Sequence, residues 1–181
     1  MVSGPSGAGK GTLIDRVVDR VDGLAVAVSA TTRAPRRGEE DGREYWFMDD
    51  DAFEAAVDAD EFLEHVAYAG RRYGTLWREI EDRRRDTAGV VLEIEVEGAR
   101  AVRDRMPDAV LIFVEPPSLD VLADRLRARG TEDDEAIARR LEVARRELEA
   151  RDEFDVVILN DDLERATAEL ERTIRSRLAA S

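Results

Sequence analysis

The sequence predicts an α/β protein whose core is a parallel sheet covered by helices. Short apolar runs alternate along the chain with segments of helical periodicity, the pattern of successive strand–helix units. At 181 residues the chain is long enough for one domain with a substantial core. It contains no internal repeat and no low-complexity linker, so we predict a single domain over residues 1–181.

The spacing of apolar residues places each element in turn. The first helix is predicted over Thr12–Val21, where one face is apolar. Ser118 and Thr131 are typical of helix N-caps, and Thr131 with Asp134 resembles a capping box. The predicted strands are Met1–Ser3, Leu24–Ser29, Phe62–Tyr68, Gly89–Val96, Ala109–Val114 and Val156–Leu159. The further helices are Asp51–Ala59, Leu76–Arg85, Gly98–Arg105, Ser118–Arg129, Thr131–Arg151 and Leu163–Leu178.

One segment breaks this alternation. Thr31–Asp51 is rich in Arg, Pro and Gly and ends in the aromatic run Tyr45-Trp46-Phe47. Together with the strand after it, this segment predicts an insertion over residues 29–75.

Composition excludes several functions. The formal net charge is −14, which argues against binding to nucleic acids or membrane surfaces, since both require a basic face. The apolar run Val110–Val114 is far too short to cross a bilayer. The chain has no cysteine, and therefore no disulfide and no thiolate metal site. We expect a soluble cytoplasmic protein; a monomer and a homodimer both fit the sequence.

A phosphate loop is predicted near the N-terminus. Lys10, the only lysine, lies in the run G-P-S-G-A-G-K-G-T. Glycines let backbone N–H groups turn toward an anion, and the helix behind them adds its positive dipole. An ammonium suits the gap between β- and γ-phosphates as a point charge. We expect the donor phosphates to bind at Gly4, Pro5, Ser6, Gly7, Ala8, Gly9, Lys10, Gly11 and Thr12.

The alternative without a phosphate site is a glycine-rich turn before an ordinary helix. Four glycines and a lysine within eight positions make that reading unfavourable. The loop departs from the usual pattern, because Gly11 stands where a hydroxyl residue normally follows the lysine. We therefore expect Mg²⁺ to be held by nucleotide phosphates and water, with Thr12 as the alternative protein ligand.

Several motifs downstream of the loop together carry a resemblance. They are Thr31-Thr32-Arg33 with Arg36, Gly38 and Glu39; Phe62-Leu63-Glu64; Tyr73-Gly74-Thr75; Glu93–Gly98; Arg125–Thr131; and Asn160-Asp161-Asp162. Nearly end to end, the chain resembles the guanylate kinase family. The resemblance implies a three-layer P-loop kinase core (residues 1–28, 76–117 and 152–181), an acceptor-binding insertion (residues 29–75) and a helical lid (residues 118–151).

The family's acceptor nucleotide is GMP, and the resemblance assigns its phosphate to Arg33, Arg36, Tyr45 and Tyr73. Two guanidinium groups three residues apart can converge on one phosphate, and tyrosine hydroxyls can add neutral donors. The alternative is a solvated basic loop, the usual fate of a charge run. The aromatic donors favour the site.

The resemblance assigns guanine to Glu64 and Glu95, with hydroxyls from Ser29 and Thr75. Guanine presents adjacent N–H donors that a carboxylate can accept, whereas adenine presents an acceptor at N1. Glu95 lies in an otherwise apolar run, where a carboxylate without a partner is costly. Glu64 taken alone would be a surface residue. Glu93 is expected nearer the ribose or Mg²⁺.

The resemblance also places Arg125, Arg129 and Arg140 in the lid, where they would stabilise the transferred phosphoryl group, and Asn160 near the donor's adenine. The alternative is that these arginines lie on the solvent-exposed face of an Arg/Glu-rich helix.

The implied activity is ATP:GMP phosphotransfer, with ATP and Mg²⁺ as donor and cofactor. The alternatives are a kinase of another nucleoside monophosphate or ribose bisphosphate, and a non-catalytic scaffold on the same fold.

Overall fold

The computed structural model describes residues 1–68, 70–128 and 134–180. The chain forms two compact units: a first unit of Met1–Asp22 with Val110–Ser181, and a second unit of Gly23–Ala109. Among the described residues, no helix combines the length and the apolar character that a bilayer crossing requires. The division of a single domain into core, insertion and lid stays a prediction.

The described elements follow the predicted order closely. The strands are β1 (Val2–Ser3), β2 (Leu24–Val26), β3 (Ala30–Thr31), β4 (Trp46–Phe47), β5 (Phe62–Tyr68), β6 (Arg71–Leu76), β7 (Gly89–Val91), β8 (Ile112–Glu115) and β9 (Val156–Leu159). The helices are α1 (Lys10–Val18), α2 (Asp50–Asp58), α3 (Trp77–Asp86), α4 (Val96–Arg105), α5 (Leu119–Ala128), α6 (Asp134–Glu149) and α7 (Leu163–Leu178).

The first unit is built on three parallel strands in the order β1-β8-β9. Its interior is apolar, with Leu13, Phe113 and Leu170 fully buried. Helix α1 packs against α7, and Arg16 and Arg20 both pair with Glu164 at their exposed edge. Helices α5 and α6 pack through a separate apolar cluster of Leu122, Leu126, Ile137 and Ala144. The phosphate loop connects β1 to α1 in this unit.

The second unit contains a parallel pair, β2 with β7, and a mixed sheet in the order β4-β3-β6-β5. Strand β6 pairs antiparallel with both β3 and β5. Helix α2 begins where the Asp49 side chain accepts the N–H of Ala52, and it buries Phe53 against Phe62 with their ring centroids 4.4 Å apart. Helix α4 packs against β5.

The predicted α/β class is confirmed, but several strand boundaries differ and strands β3, β4 and β6 were not predicted. The strand predicted over Gly89–Val96 ends at Val91, and Glu95 instead is the N-cap residue of α4, with extended backbone. Two carboxylates, Glu93 and Glu95, within one buried strand would be costly. Because the strand ends at Val91, both lie outside it, and Glu95 stands at the start of α4. The strand predicted to Ser29 ends at Val26, because Ala30 and Thr31 pair with β4 and β6 instead.

Candidate nucleotide-binding sites

The phosphate loop leads directly into the N-terminus of α1. Gly9 is the N-cap residue and has a left-handed backbone, with φ 97°. The first turn of α1 carries no acidic side chain, so its N–H groups and the helix dipole favour an anion. A side chain at Gly9 would also collide with Asn160, because its Cβ would lie 2.5 Å from Asn160 Nδ2. Both constraints require glycine here.

Lys10 is folded back onto the loop that precedes it. Its side chain is only 6% exposed, and the ammonium donates to the carbonyls of Gly4 (2.6 Å) and Pro5 (3.3 Å). The ammonium of the only lysine therefore lies within the loop, where a phosphate would compete with these carbonyls for its protons. Thr12, in contrast, is exposed on the first turn of α1.

Two predicted donor-site residues converge on one loop carbonyl. Ala8 O accepts from Asn160 Nδ2 at 2.7 Å and from Arg125 Nη1 at 3.2 Å. Arg125 Nη2 also donates to Asn160 O at 2.9 Å. From α6, Arg140 Nη2 donates to Ser6 Oγ at 2.6 Å. Both predicted lid arginines that the structure describes thus contact the loop, while Arg129 lies outside the described residues.

In the second unit, Arg33 lies in a fixed orientation. Its two Nη atoms pair with the two carboxylate oxygens of Glu39, each at 2.9 Å, and its guanidinium stacks 5.1 Å above the Tyr45 ring. The hydrogen bond from Arg33 holds the pKa of the Glu39 carboxyl below its usual range. Tyr73 meets Tyr45 edge-on, with their ring centroids 6.1 Å apart.

Burial raises the pKa of the Tyr45 hydroxyl, so that hydroxyl keeps its proton as a donor. Arg36 is exposed, and its backbone N–H donates to Glu39 at 2.6 Å. Three of the four residues predicted for the acceptor phosphate, Arg33, Tyr45 and Tyr73, therefore cluster around one point, and Arg36 follows on the same turn.

Glu64 is a buried carboxylate, only 4% exposed. Antiparallel pairing of β5 with β6 sets it opposite Thr75, whose hydroxyl donates to Glu64 Oε1 at 2.7 Å. Burial raises its pKa from 4.5 to about 7; hydrogen bonds from Thr75 oppose that rise, and the nearby charge of Glu95 adds to it. Glu64 and Glu95 are thus neighbours, as the predicted guanine site requires.

Two further observations define this end of the second unit. Glu95 Oε2 is buried and, among the described residues, has no hydrogen-bond partner, the situation of a group awaiting a ligand's donor. Gly98 of α4 lies against Glu64, because a Cβ there would be 2.5 Å from Glu64 Oε2. Ser29 is half-buried immediately before β3, and Glu93 is exposed.

Comparison with known proteins identifies the family of the chain. The sequence model of the guanylate kinase family matches residues 1–177. Guanylate kinase of Synechococcus sp. (strain CC9311) is 51% identical over 172 residues, covering 95% of this chain and 90% of that protein. Guanylate kinase of Rubrobacter xylanophilus (strain DSM 9941) is 49% identical over 179 residues, covering 99% and 94%.

A solved structure gives the same result. The crystal structure of guanylate kinase from Anaplasma phagocytophilum superimposes with a TM-score of 0.78 at 28% identity, covering 98% of this chain and 84% of that one. A glycine-rich loop between a parallel strand and a helix, on this fold, defines a P-loop kinase. The chain belongs to the guanylate kinase family.

Three residues near these sites had no role in the sequence-based predictions. Glu39 orients Arg33, Gly98 makes room for the Glu64 carboxylate, and Glu79 is a buried carboxylate on α3. Glu39 and Gly98 belong to motifs that carry the family resemblance, and that was their only signal. The role of Glu79 depends on contacts between residues distant in sequence.

Replacing Glu64 by Gln is expected to stabilise the nucleotide-free protein at about pH 8 and not below pH 4.5. The folded-state pKa of about 7 lies above the ordinary value of 4.5, so folding favours the protonated carboxyl. That stabilisation is complete below pH 4.5 and is lost as the pH rises through 7, where the ionised carboxylate costs on the order of 3 kcal/mol. Thermal melting of both proteins across this range measures the difference.

Glu61→Gln is the matched control, since it removes an exposed carboxylate just before the same strand. If the wild-type and Glu64→Gln melting curves kept a constant separation from acid to alkaline pH, the raised pKa of Glu64 would be wrong.

Proposed function

We propose that the chain transfers the γ-phosphoryl group of ATP to GMP, with the phosphate loop as donor site and the cluster of Arg33, Tyr45, Tyr73, Glu64 and Glu95 as acceptor site. The observation that carries the acceptor assignment is a pair of carboxylates: Glu64 is buried, and half-buried Glu95 has a buried oxygen with no hydrogen-bond partner among the described residues. Guanine offers the adjacent N–H donors that such a pair can accept. Adenine, with an acceptor at N1, would leave a buried carboxylate oxygen unpaired.

The donor site would act through Lys10 and the N–H groups at the start of α1, which neutralise and orient the β- and γ-phosphates. Mg²⁺, when bound, neutralises charge on the donor phosphates. Phosphate oxygens and water would hold the ion, with the exposed hydroxyl of Thr12 on the first turn of α1 as the alternative protein ligand.

The acceptor phosphate would lie against Arg33 and Arg36, with the hydroxyls of Tyr45 and Tyr73 as further donors. An oxygen of this phosphate bonds to the γ-phosphorus as the bond to the β-bridging oxygen breaks, and ADP leaves. That oxygen is already anionic, so no side chain is needed as a strong base. Arg125, Arg129 and Arg140 would stabilise charge on the group in transfer.

The alternatives named above differ in what they require. Another nucleoside monophosphate would need a base site that matches the donors and acceptors of its own base. Glu64 and Glu95 do not provide such a site. A non-catalytic scaffold would have no use for the buried Lys10 or for the oriented Arg33.

We place the reaction in the cytoplasm, because its substrates are nucleotides and the chain has no cysteine to oxidise. Every residue in the proposal comes from one chain, so the mechanism is the same for a monomer and a homodimer.

A screen of nucleoside monophosphates with ATP–Mg²⁺ tests the proposal directly. We expect kcat/KM for GMP to exceed that for AMP, CMP or UMP by roughly 10⁴, the discrimination typical of sites whose buried polar groups stay unpaired with the wrong ligand. A coupled assay of ADP release gives these values. Faster turnover of another monophosphate would reject the base assignment, and failure to bind ATP in calorimetry would favour the scaffold.

Lys10→Ala is expected to lower kcat by roughly 10²–10³-fold, because the variant loses the cation that the donor phosphates would contact. Circular dichroism and the melting temperature should show the fold intact. Arg127→Ala, which removes an exposed cation of the same unit, is the matched control and should retain normal kcat. A Lys10→Ala enzyme with most of the wild-type kcat would refute the role of the ammonium.

Gly98→Ala is expected to lower kcat/KM for GMP by roughly 10- to 100-fold, with the KM for ATP unchanged. The new methyl group would occupy the space of Glu64 Oε2 and force the carboxylate away from its position beside Thr75, and small displacements of a positioning group have effects of this size. Alanine favours the helix over glycine, so circular dichroism should show the helical content intact.

Glu97→Ala, at the exposed neighbouring position, is the control for this variant. Equal kcat/KM for GMP in Gly98→Ala and wild type would show that the Glu64 carboxylate does not contact the base.

A further inference from the structure

Glu79 is a buried carboxylate that the proposed mechanism does not use. It lies in the first turn of α3 and is only 7% exposed. A buried carboxylate is costly unless donors surround it. Its hydrogen-bond donors therefore identify the segments of the chain that this carboxylate holds together.

Both oxygens of Glu79 accept hydrogen bonds from distant segments. Oε1 accepts the backbone N–H of Val28 at 2.9 Å and also pairs with Arg83 Nε, one turn along α3. Oε2 accepts the indole N–H of Trp46 at 3.2 Å. One side chain thus links Val28, two residues after the end of β2, to Trp46 in strand β4.

The two contacts from outside α3 lie next to proposed GMP ligands. Val28 immediately precedes Ser29, and Trp46 immediately follows Tyr45. The backbone N–H of Trp46 donates to the carbonyl of Ser29 at 2.9 Å. Glu79 itself lies three residues after the end of β6, the strand that carries Tyr73 and Thr75. The carboxylate is therefore shared by the three segments that carry the acceptor-site hydroxyls.

We propose that Glu79 is a positioning residue for the acceptor site. By accepting from Val28 and Trp46 at once, it fixes Ser29 and Tyr45 relative to the strand that carries Tyr73. The inference rests on the proposed function, because it concerns binding of GMP. Only a carboxylate can accept all three donors: a glutamine would turn its own N–H group toward either Val28 or Trp46 and leave that donor unpaired.

Steady-state kinetics of Glu79→Gln, Glu79→Ala and Trp46→Phe tests the inference. We expect each variant to lower kcat/KM for GMP by roughly tenfold through a higher KM, since ligand groups are misplaced rather than removed. The KM for ATP should stay within about twofold of wild type, because the phosphate loop makes none of these contacts. Glu79→Gln, which keeps one acceptor oxygen, should fall between wild type and Glu79→Ala.

Two controls make the result specific. Glu81→Gln, an exposed position on the same helix, should behave as wild type. The double variant Glu79→Ala with Trp46→Phe should be no worse than Glu79→Ala alone, because Glu79→Ala already removes the contact with Trp46. If Glu79 variants fail to fold, Trp46→Phe alone still reports, since it keeps the carboxylate and an aromatic ring.

The outcomes separate this inference from the proposed function. A wild-type enzyme that does not phosphorylate GMP overturns the proposed function, and the inference with it. A wild type that does so, with variants whose KM for GMP is unchanged, overturns the inference alone. So would equal rises in the KM for GMP and ATP, or additive effects in the double variant.

Discussion

The cost of burying a carboxylate governs the second unit. Three glutamates are withdrawn from water there, wholly or in part, and they differ in their hydrogen-bond donors. Glu79 has donors on both oxygens. Glu64 has only what Thr75 supplies, and its pKa of about 7 shows that this does not offset burial. Glu95 has a buried oxygen with no partner among the described residues. A fully satisfied carboxylate fixes the backbone, whereas an under-satisfied one is suited to accept a ligand's donors.

The acidic chain binds anions through local geometry. Its net charge of −14 repels nucleotides at a distance, so cations and N–H groups must act at contact range. Arg33 shows how: Glu39 holds both sides of its fork while Tyr45 supports its face. An ion pair this close to solvent contributes little to stability. Its bidentate geometry fixes the direction of the guanidinium, which is what a phosphate site requires.

Sequence patterns predicted the parts of these sites that depend on local chain. The phosphate loop is contiguous, and its glycines and lysine are legible without any tertiary contact. The family resemblance assigned Glu64 and Thr75 to one site, but their pairing across β5 and β6 was not predicted, since no strand was expected at β6. By contrast, Glu79 lies in an Arg/Glu-rich helix and has the pattern of a solvated residue, and only the fold brings Val28 and Trp46 to it. Gly98 likewise has no local reason to be glycine; the reason is the Glu64 carboxylate beside it.

The contacts of Ala8 explain how residues far from the loop in sequence act on phosphate binding. Arg125 and Asn160 both donate to the Ala8 carbonyl. Because a trans peptide is planar, that carbonyl and the N–H of Gly9 point in opposite directions. Holding the carbonyl outward therefore keeps the Gly9 N–H pointing away from Arg125 and Asn160, as one of the donors at the start of α1. Glycine completes the arrangement, since Gly9 has φ 97° and its missing Cβ leaves the space that the Asn160 amide fills. Through this carbonyl, Arg125 would orient the proposed donor site in addition to stabilising the group in transfer.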